Sequence, residues 1–174
     1  EGFIRGTEIG VDGFVQDGQL VFLAPHTKFV YRGKNTTIPV GHAFPYHCAQ
    51  EVYDEIGRQM QAAVSAAGAD QCSVNADVFV DGKKVSIIEM GGRTGATCIP
   101  ELISIYYGFD FYEKMLRSAL GEQVEFNCTG SQPCMAKLLL SPVEGKITSI
   151  DIEGFLALEE LGVTLSLDFP AGHI

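Results

Sequence analysis

Apolar and polar residues alternate from Thr7 to Val15, the period of a half-buried β-strand. Asp17-Gly18 follows as a tight-turn signal, and Leu20 to Tyr31 reads as the returning strand, interrupted near Pro25. From Arg32 to Pro45 glycine and proline recur, and the segment reads as a loop. The period then changes. Cys48, Val52, Ile56, Met60 and Ala63 lie at helical spacing, which predicts a helix from about His47 to Ala67 with Gly68 as its C-cap. Asp77 to Val80 and Val85 to Ile88 are strands around an Asp81-Gly82 hairpin turn. Two short helices follow, one from Pro100 to Tyr107 stopped by Gly108, the other from an Asp110 N-cap to Leu120, ended by Gly121. Beyond Val124, the stretches CMAKLLLS, GKITSIDI and GVTLSLDF read as three short strands, with a helical turn near Ala157 to Leu161. Antiparallel strands with helices set apart from them predict an α+β fold. Its expected parts are an antiparallel sheet with packed helices over residues 1–122 and a small β-rich module over 123–174.

The hairpin carries the chemistry. Asp77 and Glu89 are equidistant from its turn, to within a residue, so their carboxylates can sit side by side. Two close carboxylates repel unless a cation or proton lies between them, and hard oxygen ligands suit Mg²⁺. Arg93 follows in a loop with Gly91, Gly92 and Gly95, where backbone can approach a ligand and a guanidinium suits phosphate or carboxylate.

These residues resemble the metal motif of the ATP-grasp superfamily, whose members include biotin carboxylase, carbamoyl-phosphate synthetase, D-alanine–D-alanine ligase and the L-amino-acid ligases. In that family an acid on one strand is joined by a second acid on the next; an Asn follows after two residues and often an Arg after two more. Here the elements are Asp77, Glu89, Gly91 and Arg93. Gly91 is the departure: it cannot supply the amide oxygen that helps hold a second Mg²⁺, which leaves that place to water or a backbone carbonyl. The opening EGFIRGTE is similar to the family's hinge. The resemblance implies that the hinge around Glu1, Gly2, Phe3 and Ile4 meets the adenine and that Glu8 accepts from the ribose hydroxyls. It also implies that Lys28 lies near the transferred phosphate and that Asn75 contributes to the nucleotide site. Asp77 and Glu89 would hold Mg²⁺ or Mn²⁺, and Lys28 and Arg93 would act in catalysis on ATP. The resemblance spans residues 1 to about 122.

Composition narrows the remainder. With 46% hydrophobic and 20% charged residues in 174, a packed core is expected and disorder is not. A net charge of −10 argues against a nucleic-acid partner. No apolar run approaches a bilayer span and no signal peptide is visible, so no membrane insertion and a cytoplasmic location are expected. The five cysteines are odd in number and contain no C-x-x-C, so they read as reduced, mostly buried residues. His42 and His47 flank Phe-Pro-Tyr, and Pro45 argues against a helical metal pair; packing is the expected role. The chain opens on Glu1 inside the hinge motif and ends on FPAGHI, so a piece of a longer polypeptide is expected.

The expected partners are then small carboxylate and amine substrates and preceding domains of the same polypeptide; a homo-oligomer is compatible with the sequence. Two classes of function stay open. One is an ATP-dependent ligase that forms an acyl phosphate, with a biotin-carboxylase-like carboxylase as runner-up. TGATCIPEL after Arg93 departs from the His- and Glu-containing continuation of that branch. The other is a non-catalytic nucleotide-binding module, which Gly91 keeps in view.

Overall fold

The first alternating stretch is the strand from which the fold is built. β1 (Thr7–Gln16) turns at Asp17-Gly18 into β2 (Gln19–Arg32). Both turn residues have positive φ, 52° and 71°, the backbone of a two-residue hairpin whose twist matches its strands. The computed structural model describes residues 2–33, 36–141 and 143–166. Glu1 and the FPAGHI end lie outside them.

Two expectations about the next segment are corrected. β2 is continuous through Pro25, which pairs with Val11 of β1. In a strand a residue's nitrogen and carbonyl point to the same side, and the Pro25 carbonyl accepts from Tyr46 N, beyond the β3 ladder that begins at Thr27. The missing N–H therefore costs no ladder bond. Arg32 to Pro45 is not a single loop either, because β3 (Thr37–Phe44) returns antiparallel along β2. Its Pro39 lies where β3 has β2 as a neighbour and is beyond the reach of β6 (Cys134–Lys137), which pairs only with Gly41–Phe44.

α1 (Gln50–Ala67) starts three residues later than expected and buries Val52, Ile56, Met60 and Val64, so Val64 takes the place expected for Ala63. Gly68 caps it in the left-handed region. β4 (Cys72–Asp81) and β5 (Lys84–Gly91) form the expected hairpin, longer at both ends. α2 (Ile99–Tyr107) and α3 (Phe111–Ala119) follow, and Asp110 caps α3 by accepting from Glu113 N.

The six strands form one antiparallel sheet in the order β5-β4-β1-β2-β3-β6. β1 is central, and its two faces go to different partners. Ile9, Val11 and Val15 pack with Val74, Ala76 and Val78 of β4 against α1. On the other face Phe14 joins Phe22, Phe44, Leu102, Ile103 and Phe111 in an aromatic core under α2 and α3. Each fully buried side chain of this kind stabilises by about 1.5–3 kcal/mol.

The first compact unit runs Glu1–Leu138, so it extends beyond residue 122, because the CMAK stretch is strand β6 of the main sheet. The second unit is Leu139–Ile174. Among its described residues the expected strands over GKITSIDI and the start of GVTLSLDF are absent. Asp151 instead caps α4 (Ile152–Glu159) by accepting from Gly154 N. A local side-chain cap and an apolar helical run outweigh β-propensity where no neighbouring strand offers a ladder. Residues 167–169 of the third stretch lie outside the described residues. Among the described residues no helix is long and apolar enough to cross a membrane.

Candidate functional site

The even-numbered positions of β1 face away from α1, and toward the strand's N-terminal end they are polar. Antiparallel register lines them up with their neighbours in three successive rows. In the middle row Glu89, Asp77, Gly10 and His26 lie side by side across β5, β4, β1 and β2. One row toward the β1 N-terminus are Ser86, Phe79 and Glu8; one row the other way are Gly91, Asn75, Asp12 and Ala24. The hairpin therefore places Asp77 directly opposite Glu89. A bulge at Asp77/Val78 gives β5 an extra residue there.

Lys28 binds the site together. Its Nζ lies 2.7 Å from Asp77 Oδ1 and 2.8 Å from Glu8 Oε1, with the side chain only 7% exposed. Burial alone would lower its pKa; the hydrogen bonds and charges of Asp77 and Glu8 outweigh that and hold it above the ordinary lysine value. Arg32 adds a looser contact to Glu8 at 3.9 Å. A solvent-exposed strand lysine would be the default reading of Lys28 from sequence; two acids on one face of the sheet are what draw it in.

The hinge residues Gly2, Phe3 and Ile4 precede β1 in irregular backbone. Phe3 and Ile4 line a hollow of about 250 Å³ with Phe79, Lys84 and Ser86, one row from the acids. Arg5 and Asp81 complete its lining, and Glu8 is paired with Phe79 across β1 and β4. A second hollow of about 360 Å³ lies between Pro25, Pro45, Tyr46, Tyr53, Tyr106 and His47, and contains none of the expected site residues.

Arg93 is exposed, and its guanidinium donates to the Thr94 carbonyl at 2.8 Å. Among the described residues it forms no ion pair with Asp77 or Glu89. Asn75 faces Gly91 across the strands, so an amide stands opposite the position that lacks one; its Nδ2 donates to Asp12 at 2.8 Å. Asp77 and Glu89 could hold a divalent cation. They supply hard oxygens, but among the described residues no third His, Cys, Asp or Glu completes a cluster. The donor set therefore fits a cation shared with phosphate oxygens and water.

Sequence reasoning missed a buried polar chain beneath these residues. Asp12 is fully buried and accepts four hydrogen bonds: from His26 Nε2 at 3.1 Å and Asn75 Nδ2 at 2.8 Å on one oxygen, and from Thr94 Oγ1 at 3.3 Å and Gly95 N at 2.8 Å on the other. His26 Nδ1 meets His42 Nδ1 at 3.2 Å. Asp12 is acceptor-only, so the His26 Nε2 carries a proton, and a single proton serves the contact between the two rings. Burial, then the charge of His26, push His42 down to about 4, so it is neutral near pH 7. His26 is accommodated by Gly10, where a Cβ would lie 2.0 Å from the His26 ring. The available signal was period two: Glu8, Gly10 and Asp12 share a face, and an acid inside an otherwise apolar strand must have partners. His42 packs as expected, but in a strand and as part of this chain.

The cysteines differ from expectation. Cys48, Cys72 and Cys134 are half-buried and Cys98 and Cys128 are exposed, so none is a fully buried core residue. Cys98 N-caps α2 in the left-handed region, a turn position that keeps it at the surface.

No protein-family model matches the sequence, and no curated protein sequence matches it. Solved structures do. Phosphoribosylglycinamide synthetase from Anaerococcus prevotii superposes with a TM-score of 0.79 and 30% identity, over 85% of this chain and 38% of that one. The chain has the ATP-grasp fold. L-amino acid ligase from Bacillus licheniformis matches at TM-score 0.74 and 21% identity, over 91% of this chain and 41% of that one. A complex of biotin carboxylase from Campylobacter jejuni with β,γ-ATP matches more distantly, at TM-score 0.58 and 16% identity, over 71% and 27%. The chain thus spans well under half the length of these ATP-grasp proteins. The α+β ATP-grasp architecture with an antiparallel sheet is as the sequence led one to expect.

Proposed function

We propose that the protein carrying this chain is an ATP- and Mg²⁺-dependent ligase. In this reading a substrate carboxylate takes the terminal phosphoryl group of ATP, giving an acyl phosphate and ADP. An amine then attacks the acyl carbon, phosphate leaves, and the amine loses its proton to solvent or a base. The observation that carries it is Lys28 held between Glu8 and Asp77, with Asp77 opposite Glu89 and a hollow of mixed lining, Phe3, Ile4 and Phe79 beside Arg5, Asp81, Lys84 and Ser86, one row away. A hollow beside Glu8, then two acids and a positive group, suit a nucleotide lying from base to phosphate along one sheet face.

Each residue then has a task. Phe3, Ile4 and Phe79 flank the base, and Glu8 accepts from ribose hydroxyls, since a carboxylate is acceptor-only. Asp77 and Glu89 hold the divalent cation, which when bound offsets charge on the phosphate oxygens. Lys28 places a point charge at the transferred group and Arg93 a two-pronged donor at the acyl phosphate. Gly2 and Glu1 belong to the hinge, and Asn75 lines the nucleotide site from β4. Phosphoryl transfer asks little else of a protein than positioning and neutralisation. The residues of this chain form one wall of such a cleft, so by itself the chain is expected to bind Mg-ATP weakly and not to turn over. The thiol state of the cysteines accords with a cytoplasmic setting.

The test rests on Arg93. In the full-length protein, nucleotide Kd and substrate-dependent ADP release are measured for wild type, Arg93→Ala and Arg93→Lys across amino acids and small carboxylates. A ligase loses turnover by about 10²–10³-fold with little change in Kd, as for removal of one transition-state donor. A weakened Kd with no turnover in any protein identifies a binding module instead, the reading that Gly91 favours.

A further inference from the structure

We propose that Asp12 is a positioning residue for the Arg93 loop, an assignment that rests on the ligase reading above. Asp12 lies in the row beyond Asp77, and of the residues assigned above to the nucleotide it accepts a hydrogen bond from Asn75. Its links run to the loop and to the strands beside it. One oxygen takes Thr94 Oγ1 and the Gly95 amide, which belong to the loop after β5; the other takes Asn75 of β4 and His26 of β2. The Thr94 carbonyl in turn receives the Arg93 guanidinium. A chain of hydrogen bonds thus leads from the centre of the sheet, through the loop backbone, to the charged tip that the mechanism needs.

Two features make this a fixed attachment. An ionised carboxylate offers about four acceptor sites, and here four donors fill them, so rotation of the group breaks at least two bonds. Gly95 is also seated against the site: a Cβ there would lie 2.4 Å from Ile99 Cδ1, 2.9 Å from Asn75 Nδ2 and 3.2 Å from Asp12 Oδ2. The loop is drawn down onto the sheet as far as a glycine allows. Burying the Asp12 charge is tolerated because His26 and three further donors meet it. A hydrophobic residue at position 12 would suit the strand as well as Phe14 does. What a carboxylate adds is a grip on the loop.

The experiment is a double-mutant cycle in the full-length protein, reading nucleotide Kd, kcat and thermal melting for Asp12→Asn, Arg93→Ala and the pair. Asn keeps the shape but turns one acceptor into a donor, which faces two donors. The expected result is a fall in kcat of about 10²-fold, the scale of a small misplacement near the chemistry, with Kd changed little. The pair should be no worse than Arg93→Ala alone, because both changes remove the same placed group. Effects that multiply, or wild-type kcat in Asp12→Asn, overturn the proposal. Loss of turnover in Arg93→Ala beside wild-type turnover in Asp12→Asn overturns it while leaving the ligase reading intact; wild-type turnover in Arg93→Ala overturns both. Should Asp12→Asn fail to fold, Thr94→Val takes its place in the cycle. It removes one donor and keeps Asp12, and a kcat equal to wild type in that variant overturns the proposal.

Discussion

On one side of β1, Ile9, Val11 and Val15 are buried against Val52, Ile56 and Met60 of α1; on the other, Glu8, Gly10 and Asp12 face Lys28, His26 and Asn75. The same ten-residue strand thus has an apolar side whose identity is set by volume and a polar side whose identity is set by bonding. Apolar packing is non-directional, so several residues of similar size serve. The polar side is directional: each member is satisfied by named neighbours, and no buried side-chain nitrogen or oxygen among the described residues lacks a partner. Changes on the first side should therefore act on stability, and changes on the second on chemistry.

The largest effect that would break this contrast is at the acids. Asp77→Asn or Glu89→Gln in the full-length protein should lower ATP turnover by about 10³-fold or more, since a bound cation contributes several kcal/mol. Melting temperature should stay close to wild type. Unchanged turnover in both variants would remove the hairpin from the chemistry. Next comes Arg93, where Lys should be nearly as damaging as Ala, because a point charge does not reproduce a planar fork; recovery of activity in Arg93→Lys would mean that only charge is used there. On the opposite side of the sheet, Ile56→Ala should cost about 2–5 kcal/mol by denaturant unfolding, with kcat per folded molecule unaltered. A fall in kcat of the folded fraction would blur the two sides. The smallest effect concerns His42. Its pKa of about 4 lies below the ordinary 6.5, so the unfolded chain takes up a proton that the folded one refuses. Stability is full above pH 6.5 and falls as pH drops toward 4, by on the order of 2 kcal/mol from this residue. His42→Gln should flatten that part of the stability–pH curve; an unchanged slope would show that another group carries it.

The sequence was legible where one signal was strong and local. The Asp17-Gly18 and Asp81-Gly82 signals set hairpin registers, although the second turn falls one residue on, at Gly82-Lys83, with Asp81 paired to Lys84; that register brought Asp77 opposite Glu89. α1 and the Asp110 cap of α3 followed from spacing and cap chemistry. β3 was missed because Pro39 and Gly41 read as breakers, although Pro39 lies where the strand has β2 as its neighbour and Gly41 pairs on both sides, with Phe29 and Lys137. The strand CMAK was assigned to the wrong unit for a related reason: nothing local tells which sheet edge a short strand will join. Asp12 was passed over because an acid in an alternating strand looks solvated. Its burial depends on donors from positions 26, 75, 94 and 95, which only the folded sheet assembles.

The three rows across β4, β1 and β2 also bear on what lengths of chain this fold can accept. β1 is paired on both sides, so a single residue inserted between Gly10 and Asp12 shifts half the strand by one. A one-residue slip turns every side chain to the opposite face. Phe14 would then point at α1 and Val15 at the aromatic core, while Asp12 would lose its loop. Insertions at Gly82-Lys83, where the hairpin turns in solvent, alter no row at all. Length variation in relatives of this chain should accordingly gather at the hairpin tip and be missing from β1.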